Sequence, residues 1–430
     1  AVQHPEFEMK FPLFAVALAC ATAAAALGSV TSASAQDAPP LTLGAALEIA
    51  QRESPRLAAG RSAVEAAAAM VERSGALPDP KLSVGISNLP VSGEEAWNYK
   101  ADGMTMRQVG VMQEFPNSEK RRLKVERAAG ERAVEAAMLS TSALELKREA
   151  SLAWFEVGHA QDQLRALEAL LAATRLEAAT LGAAVTAGRA NAAETYAVRA
   201  AEQTILDRLQ QQQRLLARAR VQLARFIGPA AQRPLAAAPD TARLPRAASE
   251  LIATHADHPQ LRVWAEREEL ARTDMALATA GRKPDWSVEL MWGQREPAYS
   301  NMVSLQFRFD LPLFQGGRQD RDVASRASAT SSAAAAREEA RRAYEAELKS
   351  ELIDWDSARQ RVERYRDSLL PLAQERVAAA TAAYRGGSAA LKDVLETRRM
   401  LAETEMTWHD AQLERDRAWV KLNTLVEETP

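Results

Sequence analysis

One cysteine, Cys20, stands in the whole 430-residue chain. Disulfides and thiolate metal sites are therefore excluded from everything beyond the N-terminal segment. Aromatic residues make up 5% of the sequence while alanine abounds, a composition suited to long, closely packed helices rather than to a compact mixed core. An excess of one charge is also missing, with 54 Lys and Arg against 57 Asp and Glu. A nucleic-acid partner is unsupported, because binding one needs a clustered basic surface. Past the N-terminal region no segment carries the ~20 uninterrupted apolar residues of a membrane helix, so any membrane crossing has to be made by β-strands. Glycine-rich phosphate loops are absent. The later histidines, His159, His255, His258 and His409, lie in separate segments. No catalytic constellation forms, and neither an enzyme nor a cofactor is expected. His255 and His258 have a spacing that could ligate a metal, but their place at a helix end reads as a solvated terminus, and no metal site is assigned.

The N-terminus reads as an export signal. Met9 and Lys10 open a basic segment, an apolar run covers 11–27, and Ala33-Ser34-Ala35 gives the small-x-small pattern that precedes cleavage. Residues 1–35 are set aside as leader and signal. Cys20 is a candidate lipidation site, although Ala17 stands where a lipoprotein signal prefers a leucine, with Leu18 one residue late.

Internal self-similarity organises the remainder. At an offset of about 204, Leu47, Pro55, Leu57, Glu65, Ala67, Pro80, Ser83 and Val84 match Leu251, Pro259, Leu261, Glu269, Ala271, Pro284, Ser287 and Val288. Met106, Glu114, Phe115 and Pro116 then meet Met302, Asp310, Leu311 and Pro312, while Gly188, Glu194 and Tyr196 meet Gly387, Asp393 and Leu395. Two repeats follow, 36–240 and 241–430. Each is expected to run short helix, helix, strand, loop, strand, very long helix, turn, helix. First helices are predicted near 42–53 and 56–77 and near 247–257 and 260–281, with Pro55 and Pro259 at helix starts. Strands are predicted at about 81–88, 104–115, 285–293 and 302–313, and long helices over 118–228 and 318–427. Pro371 should kink the last of these.

The second repeat's strands alternate. Trp286, Val288, Leu290 and Trp292 share one face, and Val303, Leu305, Phe307, Phe309 and Leu311 another, opposite Ser304, Gln306, Arg308 and Asp310. Tryptophans bracketing an apolar stripe suit a lipid face with interfacial girdles, and polar residues suit a wet lumen. Strand 104–115 alternates poorly, and a soluble sheet buried on helices is the competing reading. Helical stretches such as 118–186 and 318–385 would each extend roughly 100 Å, which points to coiled-coil packing. Four strands cannot close a barrel, and open edges in lipid would carry unsatisfied backbone groups. Oligomerisation is required.

Several segments resemble the TolC-type outer-membrane factor family. Gly75-Ala76-Leu77-Pro78-Asp79-Pro80-Lys81-Leu82-Ser83-Val84 is similar to the family's helix-to-strand entry, and Leu311-Pro312-Leu313-Phe314-Gln315-Gly316-Gly317-Arg318 to its strand-to-helix exit. The stretches 387–397 and 188–195 resemble its periplasmic tip turns. The first-repeat exit, 114–122, departs from the glycine-containing form and resembles a variant of the heavy-metal-efflux branch. The resemblance implies a mainly α protein with a membrane β-barrel portion. A homotrimer would build a 12-stranded β-barrel in outer-membrane lipid and a periplasmic α-helical barrel. The implied role is the passive exit duct of a tripartite efflux system, with a periplasmic adaptor and an inner-membrane RND-type pump as partners. It further implies a pore constriction at Asp393 and Glu396, three apart on one helix face, where helix capping is the simpler explanation. Adaptor contacts are implied at Gly188, Arg189, Glu194, Gly387 and Ser388, with Arg308 and Asp310 in the barrel lumen. Heavy-metal cations are the expected cargo. Ducts for organic toxicants or for type I protein secretion would share the fold, and a periplasmic coiled-coil adaptor is the alternative from another class.

Overall fold

The computed structural model describes residues 39–100, 102–186, 191–244 and 258–426. Two short helices, α1 (Leu43–Glu53) and α2 (Pro55–Ser74), open the chain. Thr42 caps the first through the Ala45 N–H, and Ser54 caps the second through the Leu57 N–H with Pro55 in its first turn, where a missing N–H costs nothing. Strands β1 (Lys81–Ser87) and β2 (Met106–Phe115) form a hairpin, and α3 (Ser118–Thr186) follows. Its 69 residues make a rod of about 100 Å. Helix α4 (Ala192–Ile227) returns alongside it.

After the connection come α5 (Pro259–Ala280), the hairpin β3 (Trp286–Gln294) and β4 (Met302–Phe309), and the helices α6 (Gln319–Arg364), α7 (Leu370–Arg385) and α8 (Leu391–Val426). The expected kink at Pro371 takes a specific form, a π-helical turn over Tyr365–Leu369. The Leu370 N–H bonds to the Tyr365 carbonyl, five residues back, and the widened turn relieves the clash and the lost bond that proline imposes on a helix. The expected helix near 247–257 lies outside the described residues.

All four strands form one antiparallel sheet in the order β1-β2-β3-β4. The two hairpins join through β2 and β3, which pair from Arg107 opposite Gln294 to Phe115 opposite Trp286. Two strand ends differ from the sequence reading by more than one residue. β2 begins at Met106, because Met104 and Thr105 are held in a turn by the Asp102 carboxylate and the Asn88 carbonyl. β4 stops at Phe309, so Asp310 lies just outside it; its N–H still reaches the Asp285 carbonyl at 2.9 Å, but Pro312 has no N–H with which to continue a ladder.

The largest core lies along the rods rather than in the sheet. Leu41, Ala46, Ala50, Trp154, Phe155, Leu223, Ile227 and Val420 are buried together there. Leu41 bridges to Leu235, and the Trp154 indole N–H donates to the Leu41 carbonyl. A smaller cluster of Leu261, Tyr344, Leu348, Leu422 and Leu425 ties α5 and α6 to the end of α8. The rest of α3 packs as coiled coil, with Leu167 and Leu171 against Ile205 and Leu209 of α4. Close helix approach depends on small residues there: a Cβ at Gly60 would meet the Leu139 side chain at 2.8 Å.

Candidate functional site

The sheet has one apolar face and one polar face, and the apolar one is bare. Val84 is 74% exposed, Leu305 59% and Phe309 60%, with Leu82, Val111, Leu290, Trp292, Val303 and Phe307 also exposed on the same face. So large a contiguous apolar surface is not left to water. Phe115, Trp286 and Phe309 sit in one row across β2, β3 and β4. The first two stack with ring centroids 4.3 Å apart. Trp292 lies near the other end of β3 and Trp97, Tyr99 and Tyr299 in the loops beyond. Aromatics at both ends of a strand of about 26 Å have the placement of the two interfacial girdles of membrane strands. The poor alternation of β2 resolves on pairing: Val109 and Val111 join the apolar face, while Gly110 stands opposite Ser83 and Met291.

The other face carries Ser83, Gln108, Ser287, Glu289, Ser304, Gln306 and Arg308. Space is tight there, since a Cβ at Gly110 would lie 2.6 Å from Ser83 Oγ and 2.7 Å from Met291 Cγ. Arg308 leans over it, 3.6 Å from the Glu289 carboxylate. Asp285, at the foot of β3, accepts from the Asn117 N–H at 2.7 Å and pairs with Lys120 at 2.9 Å, so one carboxylate ties the first turn of α3 to the second hairpin. Among the described residues no helix is long and apolar enough to cross a membrane; the sheet supplies the apolar surface.

At the far end of the rods, α7 turns into α8. The Gly387 N–H bonds to the Tyr384 carbonyl, and the Ser388 N–H and hydroxyl both reach the Ala383 carbonyl. With Gly387 at φ +76°, this is a Schellman ending that glycine adopts without strain. Leu391 and Val394 are buried against Leu181 and Val198, which leaves Asp393 and Glu396 exposed on the opposite side. Asp393 accepts from the Ala390 N–H at 3.2 Å, the reach-back half of a capping box. Glu396 pairs with Arg399 at 2.9 Å and lines a groove of about 290 Å³ between α3, α4 and α8. Glu194, in the first turn of α4, stands close enough to Tyr384 to act on it. Burial first, then the charges of Glu194 and Glu177, push the Tyr384 hydroxyl up. Gly188, Arg189, Cys20 and His255 lie outside the described residues.

His258 corrects an expectation. Instead of a solvated terminus, it is a buried N-cap. Its Nδ1 accepts the Gln260 N–H and its Nε2 donates to the Thr424 carbonyl at 3.2 Å, because α5 starts against the end of α8 with the Tyr344 ring tilted against it, centroids 4.9 Å apart. Burial holds its pKa below the ordinary value, partly offset by the Thr424 bond.

Three sets of residues escaped the sequence reading. Glu177 of α3 pairs with Arg398 of α8 at 2.8 Å near the tip, leaving Glu177 Oε2 and Arg398 Nε buried and unpartnered. Burial raises the Glu177 pKa, against the Arg398 charge. Higher up, buried Asp416 accepts from His159 at 2.7 Å, Thr241 at 2.5 Å and Arg415 at 2.8 Å. Beside it, donor atoms of His159, Asp162 and His409 fall within 4.8 Å of one another. Each set joins segments more than 170 residues apart, so only its local pairs, Arg415 beside Asp416 and His159 three residues before Asp162, leave a trace in the sequence.

The comparisons with known proteins fit this geometry. Residues 253–426 match the model of the family described as outer membrane efflux protein. No curated protein matches the sequence. Among solved structures, CusC, whose structures were described in terms of folding and transmembrane channel formation, is 17% identical with TM-score 0.76, over 90% of this chain and 92% of that one. The outer membrane protein VceC of Vibrio cholerae is 18% identical with TM-score 0.72, over 89% and 94%. The Campylobacter jejuni CmeC outer membrane channel is 12% identical with TM-score 0.75, over 89% and 85%. Residues 253–426 thus carry the sequence pattern of the outer membrane efflux protein family, and the described residues share the fold of these solved outer-membrane channels.

Proposed function

We propose that the protein is the passive exit duct of a tripartite efflux system, a homotrimer fed by an inner-membrane RND-type pump through a periplasmic adaptor. The observation that carries this is the four-stranded sheet, bare on its apolar face and open at β1 and β4. In lipid an open edge leaves backbone groups unsatisfied. Pairing β1 of one copy with β4 of the next removes every edge, and three copies give twelve strands. The same symmetry wraps the rods into a tube, with no bound cofactor and no chemistry of its own. The chain divides into two repeats meeting near residue 240, each supplying one hairpin and one set of rods.

Within the tube, Asp393 and Glu396 line the periplasmic constriction, and Arg308 and Asp310 line the barrel lumen. The turns at Gly188 and Arg189 and at Gly387 and Ser388, with Glu194, meet the adaptor. Acidic rings attract cations, which favours positively charged cargo, heavy-metal ions among them. Asp393 contributes more, because the Glu396 carboxylate is shared with the Arg399 guanidinium at 2.9 Å. In planar bilayers Asp393→Lys should therefore lower cation preference more than Glu396→Lys does. Equal selectivity in both variants and the native channel would remove these residues from the constriction. A deletion strain complemented on a plasmid tests the role itself: metal sensitivity rescued by the plasmid supports metal cargo, sensitivity to organic compounds alone replaces it, and no sensitivity to any exported toxicant counts against an efflux duct.

A further inference from the structure

The geometry points to a divalent transition-metal site, with Zn²⁺ as the representative ion, that staples α3 to α8 through His159, Asp162 and His409. His159 and Asp162 are three apart on α3 and present one face. His409, Gln412 and Asp416 follow at intervals of three and four on α8, the spacing of a single helix stripe. Donor atoms of the three candidate ligands already lie within 4.8 Å of one another. An ion held at 2.0–2.1 Å in tetrahedral geometry needs donors about 3.3 Å apart, so the set must draw in by at most about 1.5 Å, within the reach of side-chain rotation.

The hydrogen bonds around the two imidazoles prepare them as ligands. His159 Nε2 lies 2.7 Å from the Asp416 carboxylate and so carries the proton. That leaves Nδ1 with a lone pair, and Nδ1 is buried without any hydrogen-bond partner, while the residue as a whole is only 8% exposed. His409 Nδ1 lies 3.1 Å from Gln412 Oε1 and donates to it, which frees Nε2 in the same way. A ligating histidine whose other nitrogen is held by a carboxylate or an amide oxygen is the usual arrangement of a metal centre, and the outer partner fixes both tautomer and ring orientation. Asp162 adds a carboxylate. Its present partner, Arg165, has a side chain 73% exposed and can leave for solvent, whereas Arg415 is occupied by Asp416. Two imidazoles and one carboxylate suit Zn²⁺ and its first-row neighbours rather than Ca²⁺ or Mg²⁺, which take oxygen ligands. A fourth position stays open to water. The inference does not depend on the duct reading, because it concerns one seam within one protomer.

The test uses the full-length protein in detergent, without an affinity tag and stripped with chelator, titrated with Co²⁺ as a spectroscopic stand-in. We expect d–d absorption saturating at one ion per protomer and bleached by Zn²⁺. His409→Ala and Asp162→Asn should each weaken binding at least tenfold. Gln412→Ala, which touches only the outer nitrogen of His409, should weaken it by about tenfold, at the low end of such outer-partner effects. His159 is left in place because it also packs against Asp416, and size-exclusion profiles confirm that the variants assemble. Zn²⁺ should raise the melting temperature of the native protein and leave that of His409→Ala unchanged. Binding of equal affinity in native, His409→Ala and Asp162→Asn proteins would overturn the site, as would the absence of stoichiometric Co²⁺ absorption.

Discussion

Replacing Asp416 by alanine should loosen the connection between the two halves of the chain. The carboxylate is 2% exposed and receives the His159 ring, the Thr241 hydroxyl and two nitrogens of Arg415, at 3.0 and 2.8 Å. Thr241 belongs to the segment after α4, and the Trp355 and Trp419 indoles hold that segment as well, through the Thr241 and Arg243 carbonyls. Alanine would strand a guanidinium whose side chain is only 15% exposed, together with a buried imidazole and a buried hydroxyl. Breaking one side of a buried ion pair costs about 3–5 kcal/mol. Unfolding entropy scales with length at roughly 2 cal/mol/K per residue, so a chain of this size should melt about 3–6 °C lower. Thr241→Val removes a single hydroxyl bond to that carboxylate and should cost less, about 1.5–3 kcal/mol. The assay is thermal unfolding of the purified protein in detergent at fixed scan rate, with limited proteolysis of the 240–258 segment beside it. An Asp416→Ala protein that melts within 1 °C of native and is cut no faster would refute the reasoning, since the carboxylate would then have no closed network to hold.

Leu305→Arg, on the exposed apolar face of β4, should cost about 2–4 kcal/mol if it falls at the bilayer midplane and deplete the protein from outer-membrane fractions. Ser304→Arg, on the opposite face, should be recovered there at native levels. Gly387→Val forces a branched residue to φ +76°, which costs of the order of 1–3 kcal/mol; faster hydrogen exchange confined to the α7–α8 turn is the expected signature. For Glu177 the sign runs downward with pH: burial raises its pKa in the folded protein, so the folded state binds the proton more tightly than the unfolded one. Stability is lost as pH rises from the ordinary carboxylate value through the raised one. Glu177→Gln should flatten that slope in melting curves, and parallel curves for the two proteins would contradict it.

Much of this architecture was legible in local sequence pattern. Pro55 and Pro259 mark equivalent helix starts, and the alternation from Trp286 to Trp292 declares a two-faced strand without any partner in view. Gly387 likewise signals its turn, since only local backbone angles are at stake. β2 was harder: Arg107, Gly110 and Gln113 interrupt its pattern, and its faces became plain only against β1 and β3. His258 was misjudged because a helix end looks solvated until another helix is docked on it.

Local order, then, was set by sequence alone: rods from alanine-rich helical stretches, strands from alternation, turns from glycine and proline, each governed by neighbours a few residues away. Tertiary structure decided whatever joins distant segments. It set the β2–β3 register, the Asp285 tie across the hairpins, the Glu177–Arg398 bridge, and the meeting of His159 with Asp416 and His409 some 250 residues further on. No periodicity records such contacts, because they depend on how two rods rotate against one another, and that rotation is fixed by the packing of both at once.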